Sequence, residues 1–176
     1  MEQIKIAPLR LPNDSTEINN WQYMFKDDPR FSSIQQFILE NNTYYGLGEV
    51  IETNYEILPI GQDERKYALS IKHSDKIIGF VLALVHQLQT SNPELILQYL
   101  VIRPDYQQQG IGTKVISELI ENATKYFDTQ ISSVFARVDC NNKSMQKTLK
   151  QFGFNLPNTN KQYISASLEI LENNNG

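Results

Sequence analysis

Six consecutive residues, Gln107-Gln108-Gln109-Gly110-Ile111-Gly112, form the part of this chain best suited to hold an anion. They follow an apolar, β-branched run (Leu95 to Ile102) and a turn at Arg103-Pro104-Asp105-Tyr106, and they lead into residues with helical apolar spacing. A strand–glycine loop–helix junction presents unpaired backbone N–H groups at a helix N-terminus, and those groups favour a phosphate. The helix dipole contributes only about 0.3–1 kcal/mol at an exposed site, so several converging N–H groups must supply most of the grip. Gly110 and Gly112 lack a Cβ and would let a diphosphate approach the main chain closely. Two familiar phosphate loops do not fit. A Walker loop needs Gly-Lys-Ser/Thr, but Thr113 separates Gly112 from Lys114. A dinucleotide fingerprint needs a third glycine where Val115 stands, and a βαβ unit rather than a meander before the loop.

The elements that must position this loop follow from periodicity. A short strand is expected from Ile4 to Leu9, and Pro12 to Ser15 reads as a turn and helix cap. Amphipathic stretches span about 16–25 and 31–40, and Asn41 to Gly61 reads as a loop. Tyr67 to Lys72, Ile77 to Leu88 and Leu95 to Ile102, joined by tight turns, predict an antiparallel meander. Ile111, Val115, Ile116, Leu119, Ile120, Ala123 and Phe127 then place an apolar stripe on a helix from about Gly110 to Tyr126. Ile131 to Val138 predicts another strand. A helix marked by Met145, Leu149 and Phe152 stops at Gly153, and Gln162 to Leu171 is the last strand.

Between the strand 131–138 and the helix that follows lies Asp139-Cys140-Asn141-Asn142-Lys143-Ser144, and that helix closes on Gly153-Phe154. Taken with the loop, this resembles the GNAT N-acetyltransferase superfamily, whose pyrophosphate loop reads Gln/Arg-x-x-Gly-x-Gly/Ala. Gln107, Gly110 and Gly112 fill that pattern; Asn142 and Gly153-Phe154 match a second family signature at the same separation. Asn142 also suits a helix cap. The resemblance covers about 66–171.

It implies an α+β (mixed α/β), GNAT-like fold: a central, mostly antiparallel twisted sheet of about six or seven strands with helices on both faces. It implies one acetyltransferase domain over 1–172, with a helical substrate-side region (1–60), a cofactor-binding core (66–171) and a polar tail (173–176). The implied activity is acetyl-CoA-dependent transfer of an acetyl group to a primary amine of a small molecule or peptide, by direct attack on the thioester. The alternative is a CoA-binding module without turnover. Leu100, Val101 and Ile102 would meet the pantetheine arm and the thioester carbonyl. Gln107, Gln108, Gln109, Gly110, Ile111, Gly112, Thr113 and Asn142 would hold the rest of the coenzyme. Substrate contacts would come from the N-terminal region and the segment before the last strand, with Tyr44 and Tyr45, around Gly46 and Gly48, favoured over Trp21, Tyr23, Phe25 and Tyr55, and with Asn158 to Lys161 contributing.

The chain departs from the family at both proton-transfer positions, where Ile96 and Leu149 replace a glutamate and a tyrosine. Strand alternation puts Glu94 and Gln98 on the face of Ile96, and of these only Glu94 accepts a proton. His86, near the end of the second meander strand, is the other side chain of a proton-accepting type. Glu94 and His86 are therefore the candidate catalytic residues, ahead of Asp139 and Tyr99. Cys140 reads as a small core residue, and His73, His86 and Cys140 have no metal-ligand spacing, so no metal is expected.

Composition bounds the partners. The 176 residues carry 16 Lys and Arg against 20 Asp and Glu, a net charge of −4 with no basic cluster, which argues against nucleic acid. The longest apolar run is too short to span a bilayer, and Met1 to Lys5 lacks a signal-peptide pattern. A cytoplasmic protein without a membrane partner is expected, with room for a homodimer. One cysteine excludes an intrachain disulfide.

Overall fold

The computed structural model describes residues 4–8, 43–46, 49–52, 64–86, 92–127 and 129–170. Their centre is one sheet of eight strands: β1 (Ile4–Pro8), β2 (Thr43–Gly46), β3 (Glu49–Glu52), β4 (Glu64–His73), β5 (Lys76–His86), β6 (Glu94–Ile102), β7 (Ser133–Asp139) and β8 (Tyr163–Glu169). The order is β3-β2-β4-β5-β6-β7-β8, with β1 also paired to β4. The β4–β5–β6 meander is antiparallel as expected, and so are the β1–β4, β2–β3 and β7–β8 pairs. Only β2–β4 and β6–β7 are parallel.

The parallel β6–β7 step requires a crossover. Helices α1 (Ile111–Glu121) and α2 (Ala123–Phe127) supply it, and α3 (Lys143–Gln151) connects β7 to β8. The sequence predicts one helix from Gly110 to Tyr126, but the chain breaks at Asn122, whose φ of −121° and ψ of 34° are not helical. The apolar stripe continues across the break, because Ala123, Tyr126 and Phe127 bury in the same core as Ile111, Val115, Ile116 and Leu119. Tyr67 clamps the end of α2: its hydroxyl donates to the Phe127 carbonyl at 2.9 Å and its ring meets the Phe127 ring edge-on. α3 ends as its glycine predicts. Gly153 (φ 85°) lets the Phe154 N–H reach the Leu149 carbonyl at 3.0 Å and its own N–H reach Lys150.

A second departure concerns strands. Residues 43–46 and 49–52, expected to be loop, pair as the β2–β3 hairpin. Thr43, Tyr44, Tyr45, Val50 and Ile51 are good strand formers, but runs of four are too short to show a period. The stretches at 16–25 and 31–40, and Trp21, Tyr23, Phe25 and Tyr55, lie outside the described residues.

The core lies between the sheet and α1, α2 and α3. Leu69, Ile71, Val81, Ala83, Leu95, Leu97, Val134 and Val138 bury in it. The opposite face is covered over β4 and β5, where Ala68, Phe80 and Leu82 have no exposed surface. It opens over β6, where Tyr99, directly across from Leu82, is 37% exposed.

Candidate active site

β6 and β7 run side by side only from Glu94↔Ser133 to Leu97↔Ala136, and then part. The divergence coincides with a bulge. Leu97 opposes Ala83 while Tyr99 opposes Leu82, leaving Gln98 as an extra residue in β6. A bulge bends its strand and increases the local twist. It also breaks the alternation that placed Gln98 on the face of Ile96 and Glu94. Because Tyr99 faces Leu82, Tyr99 takes that face.

Past the bulge, the Arg103 N–H bonds the Ile78 carbonyl at 2.8 Å. By antiparallel alternation, Val101 and Tyr99 also direct their main-chain groups to β5, whereas Leu100 and Ile102 turn theirs to the opened side. The structure thus separates the three expected contacts: Leu100 and Ile102 present main-chain groups to the cleft, and Val101 presents its own to Phe80.

At the carboxyl end of this cleft stands the glycine loop. A bracket between the Arg103 guanidinium and the Asp105 carboxylate shapes the turn, with one bond at 2.8 Å, and Arg103 also lies over the Tyr106 ring. The Arg103 hydrogen bond holds the Asp105 carboxyl below its ordinary value, outweighing the opposing effect of desolvation. Gln107 Nε2 donates to the Ile102 carbonyl at 2.8 Å, and Gln109 Nε2 donates to the Asp105 carbonyl at 3.2 Å. Two of the three glutamine side chains therefore build the loop. Gln108 (φ 60°) and Gly110 (φ 74°) take left-handed conformations that turn the chain into α1.

Helix α1 starts on Gly110 with no side-chain cap and no acidic residue in its first turn. Its first closed bond is Lys114 N–H to the Gly110 carbonyl, at 3.1 Å, so the amides of Ile111, Gly112 and Thr113 have no helical acceptor. A Cβ on Gly110 would meet nothing within 4 Å, so the space over the loop is open. An uncapped helix start, lined by glycine and free of carboxylates, fits a phosphate group.

α3 packs against the first turn of α1 through its second half, with the Thr113 and Thr148 hydroxyls 3.5 Å apart. Asn142 caps α3, accepting from the Met145 N–H at 3.1 Å. Gln146 bonds the carbonyls of Asp139 and Cys140 and so fixes the end of β7. Because β6 and β7 are parallel, their carboxyl ends and the starts of α1 and α3 that follow them lie at the same end of the sheet.

Glu94 and His86 are brought together as a cross-strand pair, with His86 Nδ1 3.8 Å from Glu94 Oε2. They stand three residues before the end of β6–β7 pairing, about 10 Å back along the strand at ~3.3 Å per residue. Neither reaches the cleft directly. Ile96 lies between, and Tyr99 is the nearest titratable side chain on the open face of β6. Leu149 is buried in the core. Among the described residues no group of three or more potential metal ligands occurs, and no helix is long and apolar enough to cross a membrane. Arg137 and Tyr163, beside the opening, escaped sequence reasoning; an arginine between Ala136 and Val138 was the available signal.

A mixed sheet with two parted parallel strands, and an uncapped, glycine-lined helix start at the carboxyl end of one of them, defines the architecture of the site. Comparison with known proteins identifies the group. The Acetyltransferase (GNAT) family profile matches residues 20–154, more than half of the chain, and the protein belongs to that family. It is an acyltransferase of the GNAT N-acetyltransferase type. The Drosophila melanogaster protein named "Probable N-acetyltransferase san" is 22% identical over 130 residues, covering 69% of each chain. Among solved structures, an acetyltransferase from Thermus thermophilus superposes with a TM-score of 0.60 at 16% identity, over 97% of this chain and 100% of that one. The PaiA N-acetyltransferase of Thermoplasma acidophilum, solved with coenzyme A, gives 0.58 at 14% identity, over 96% and 99%. At such identities the structural matches show the shared fold.

Proposed function

We propose that this protein transfers the acetyl group of acetyl-CoA to a primary amine of a small molecule or peptide, by direct attack on the thioester. The observation that carries this reading is the coincidence, at one end of β6, of the strand divergence and the uncapped start of α1. The coenzyme supplies an activated acyl group on a good thiolate leaving group, whose parent thiol pKa is about 8.5. The amides of Ile111, Gly112 and Thr113 grip its diphosphate, and the outward groups of Leu100 and Ile102 pair with the pantetheine arm. Asn142, at the start of α3, bounds the far side.

With the arm laid along β6, the thioester falls beside the bulge, where an outward N–H polarises its carbonyl and steadies the developing negative charge. Losing one such donor in a hydrolase costs about 2.7–4 kcal/mol of barrier. The amine attacks as a free base and gives up its proton to solvent in the open mouth. The His86–Glu94 pair, about 10 Å back at ~3.3 Å per residue, takes that proton only through intervening water.

The test is incubation with acetyl-CoA and a broad amine panel, following release of free CoA thiol. Transfer to at least one amine is expected. Coenzyme that binds and yet stays acetylated across the panel would overturn the reading.

A further inference from the structure

Arg137 is the first residue of β7 beyond its last pair with β6, so it stands on the lip of the cleft. Ala136 and Val138 on either side pack into the core with α1, and alternation turns Arg137 to the opposite face. That is the face of Tyr99 and Ile96, open over β6 and closed over β5. An acceptor approaching the bulge comes from this side, because α1 and α3 occupy the other.

The Arg137 guanidinium lies over the Tyr163 ring, 4.3 Å from its centroid. Tyr163 reaches it diagonally, since β7 and β8 pair Arg137 with Ser165 and Asp139 with Tyr163. Among the described residues the Arg137 side chain makes no hydrogen bond and no ion pair; the ring is its one partner. Asp139, two residues on, uses Oδ1 to accept the Asn141 N–H at 2.8 Å, and Glu94 pairs with His86 at the far end of β6. A guanidinium resting over an aromatic ring is restrained by that contact, and its fork of N–H donors suits bidentate binding of a carboxylate or phosphate.

We infer that Arg137 selects the acceptor: the amine substrate carries an oxyanion group, carboxylate or phosphate, that Arg137 binds on the Tyr163 platform while the amine reaches the bulge. This rests on the acetyl-transfer reading above and adds the class of acceptor to it.

The experiment compares matched amines differing by one anionic group: phenethylamine with phenylalanine, ethanolamine with phosphoethanolamine, and peptides with a free or an amidated C-terminus. Wild-type, Arg137→Gln and Arg137→Lys enzymes are assayed for kcat/KM, and acetyl-CoA affinity is measured alongside. The expected result is a preference of about tenfold or more for the anionic member of at least one pair. Arg137→Gln abolishes that preference and Arg137→Lys, with charge but no fork, restores part of it. Which pair responds separates carboxylate from phosphate. Transfer without anion preference, or a preference that survives in Arg137→Gln, overturns the inference and leaves acetyl transfer standing. A variant that loses acetyl-CoA affinity with its preference intact also overturns it, by assigning Arg137 to the coenzyme. Absence of transfer to every amine, with acetyl-CoA bound, overturns the parent reading and this inference with it.

Discussion

The side-chain amide of Gln107 donates to the main-chain carbonyl of Ile102 at 2.8 Å, tying the first residue of the glycine loop to the last residue of β6. Ile102 directs that carbonyl to the cleft side, where no neighbouring strand pairs with it. One side chain thus completes the strand end and sets the distance between the cleft and the helix start. Gln107→Ala breaks the tie while leaving the loop amides in place. A neutral hydrogen bond contributes about 0.5–1.5 kcal/mol, so acetyl-CoA binding should weaken by about two- to tenfold, read by calorimetric titration. An unchanged dissociation constant would show that Gln107 has no part in holding the coenzyme.

Gly110 separates backbone strain from charge. Its φ is 74°, and a Cβ there meets nothing within 4 Å, so Gly110→Ala is penalised by conformation alone, about 1–2 kcal/mol of stability. Aspartate tolerates the left-handed region better, yet it sets a negative charge against the diphosphate. We expect Gly110→Asp to unfold no more easily than Gly110→Ala and to bind acetyl-CoA at least tenfold more weakly, about 1.4 kcal/mol. Equal affinities for the two variants would contradict a phosphate at this loop.

Gly79 sits in β5 opposite Ile102, where an added Cβ would lie 2.4 Å from the Val101 carbonyl oxygen and 2.9 Å from Ile102 Cδ1. The first obstacle is main chain, so β6 itself must shift. Gly79→Ala should cost about 1–3 kcal/mol, the usual range for overpacking, in urea denaturation. It should also weaken acetyl-CoA binding, because the displaced strand carries Leu100 and Ile102. Wild-type stability in this variant would show that β6 yields freely.

Acid should loosen the loop through Asp105. The hydrogen bond from Arg103 depresses its folded pKa below the unfolded value of about 3.9. A group of that kind contributes stability above its unfolded pKa and loses it as pH falls through the folded one. The stability difference between wild type and Arg103→Gln should therefore hold steady from about pH 6 to 8 and narrow below about pH 4. Urea denaturation across a pH series reads this directly, and a gap that widens on acidification would contradict it.

Long periodic segments were legible in the sequence: the meander, the stripe of α1 and the Gly153 stop all follow from local pattern. The β2–β3 hairpin was not, since four residues per strand give alternation no length to show itself. The bulge at Gln98 was missed for a different reason. A bulge is a mismatch between two strands, and Leu97-Gln98-Tyr99 read alone alternates normally; only its pairing with Leu82 and Ala83 reveals the extra residue.

The sequence by itself determined the chemistry of the loop, because glycine conformation and helix-start amides are properties of neighbouring residues. It also determined the order of strands and helices that delivers the loop to the end of β6. Tertiary structure decided what that loop stands beside. The parting of β6 from β7, the turning of Leu100 and Ile102 toward the gap, the pairing of His86 with Glu94 and the seating of Arg137 on Tyr163 each join residues from separate strands. Such relationships depend on register across the sheet, which no local stretch of chain encodes.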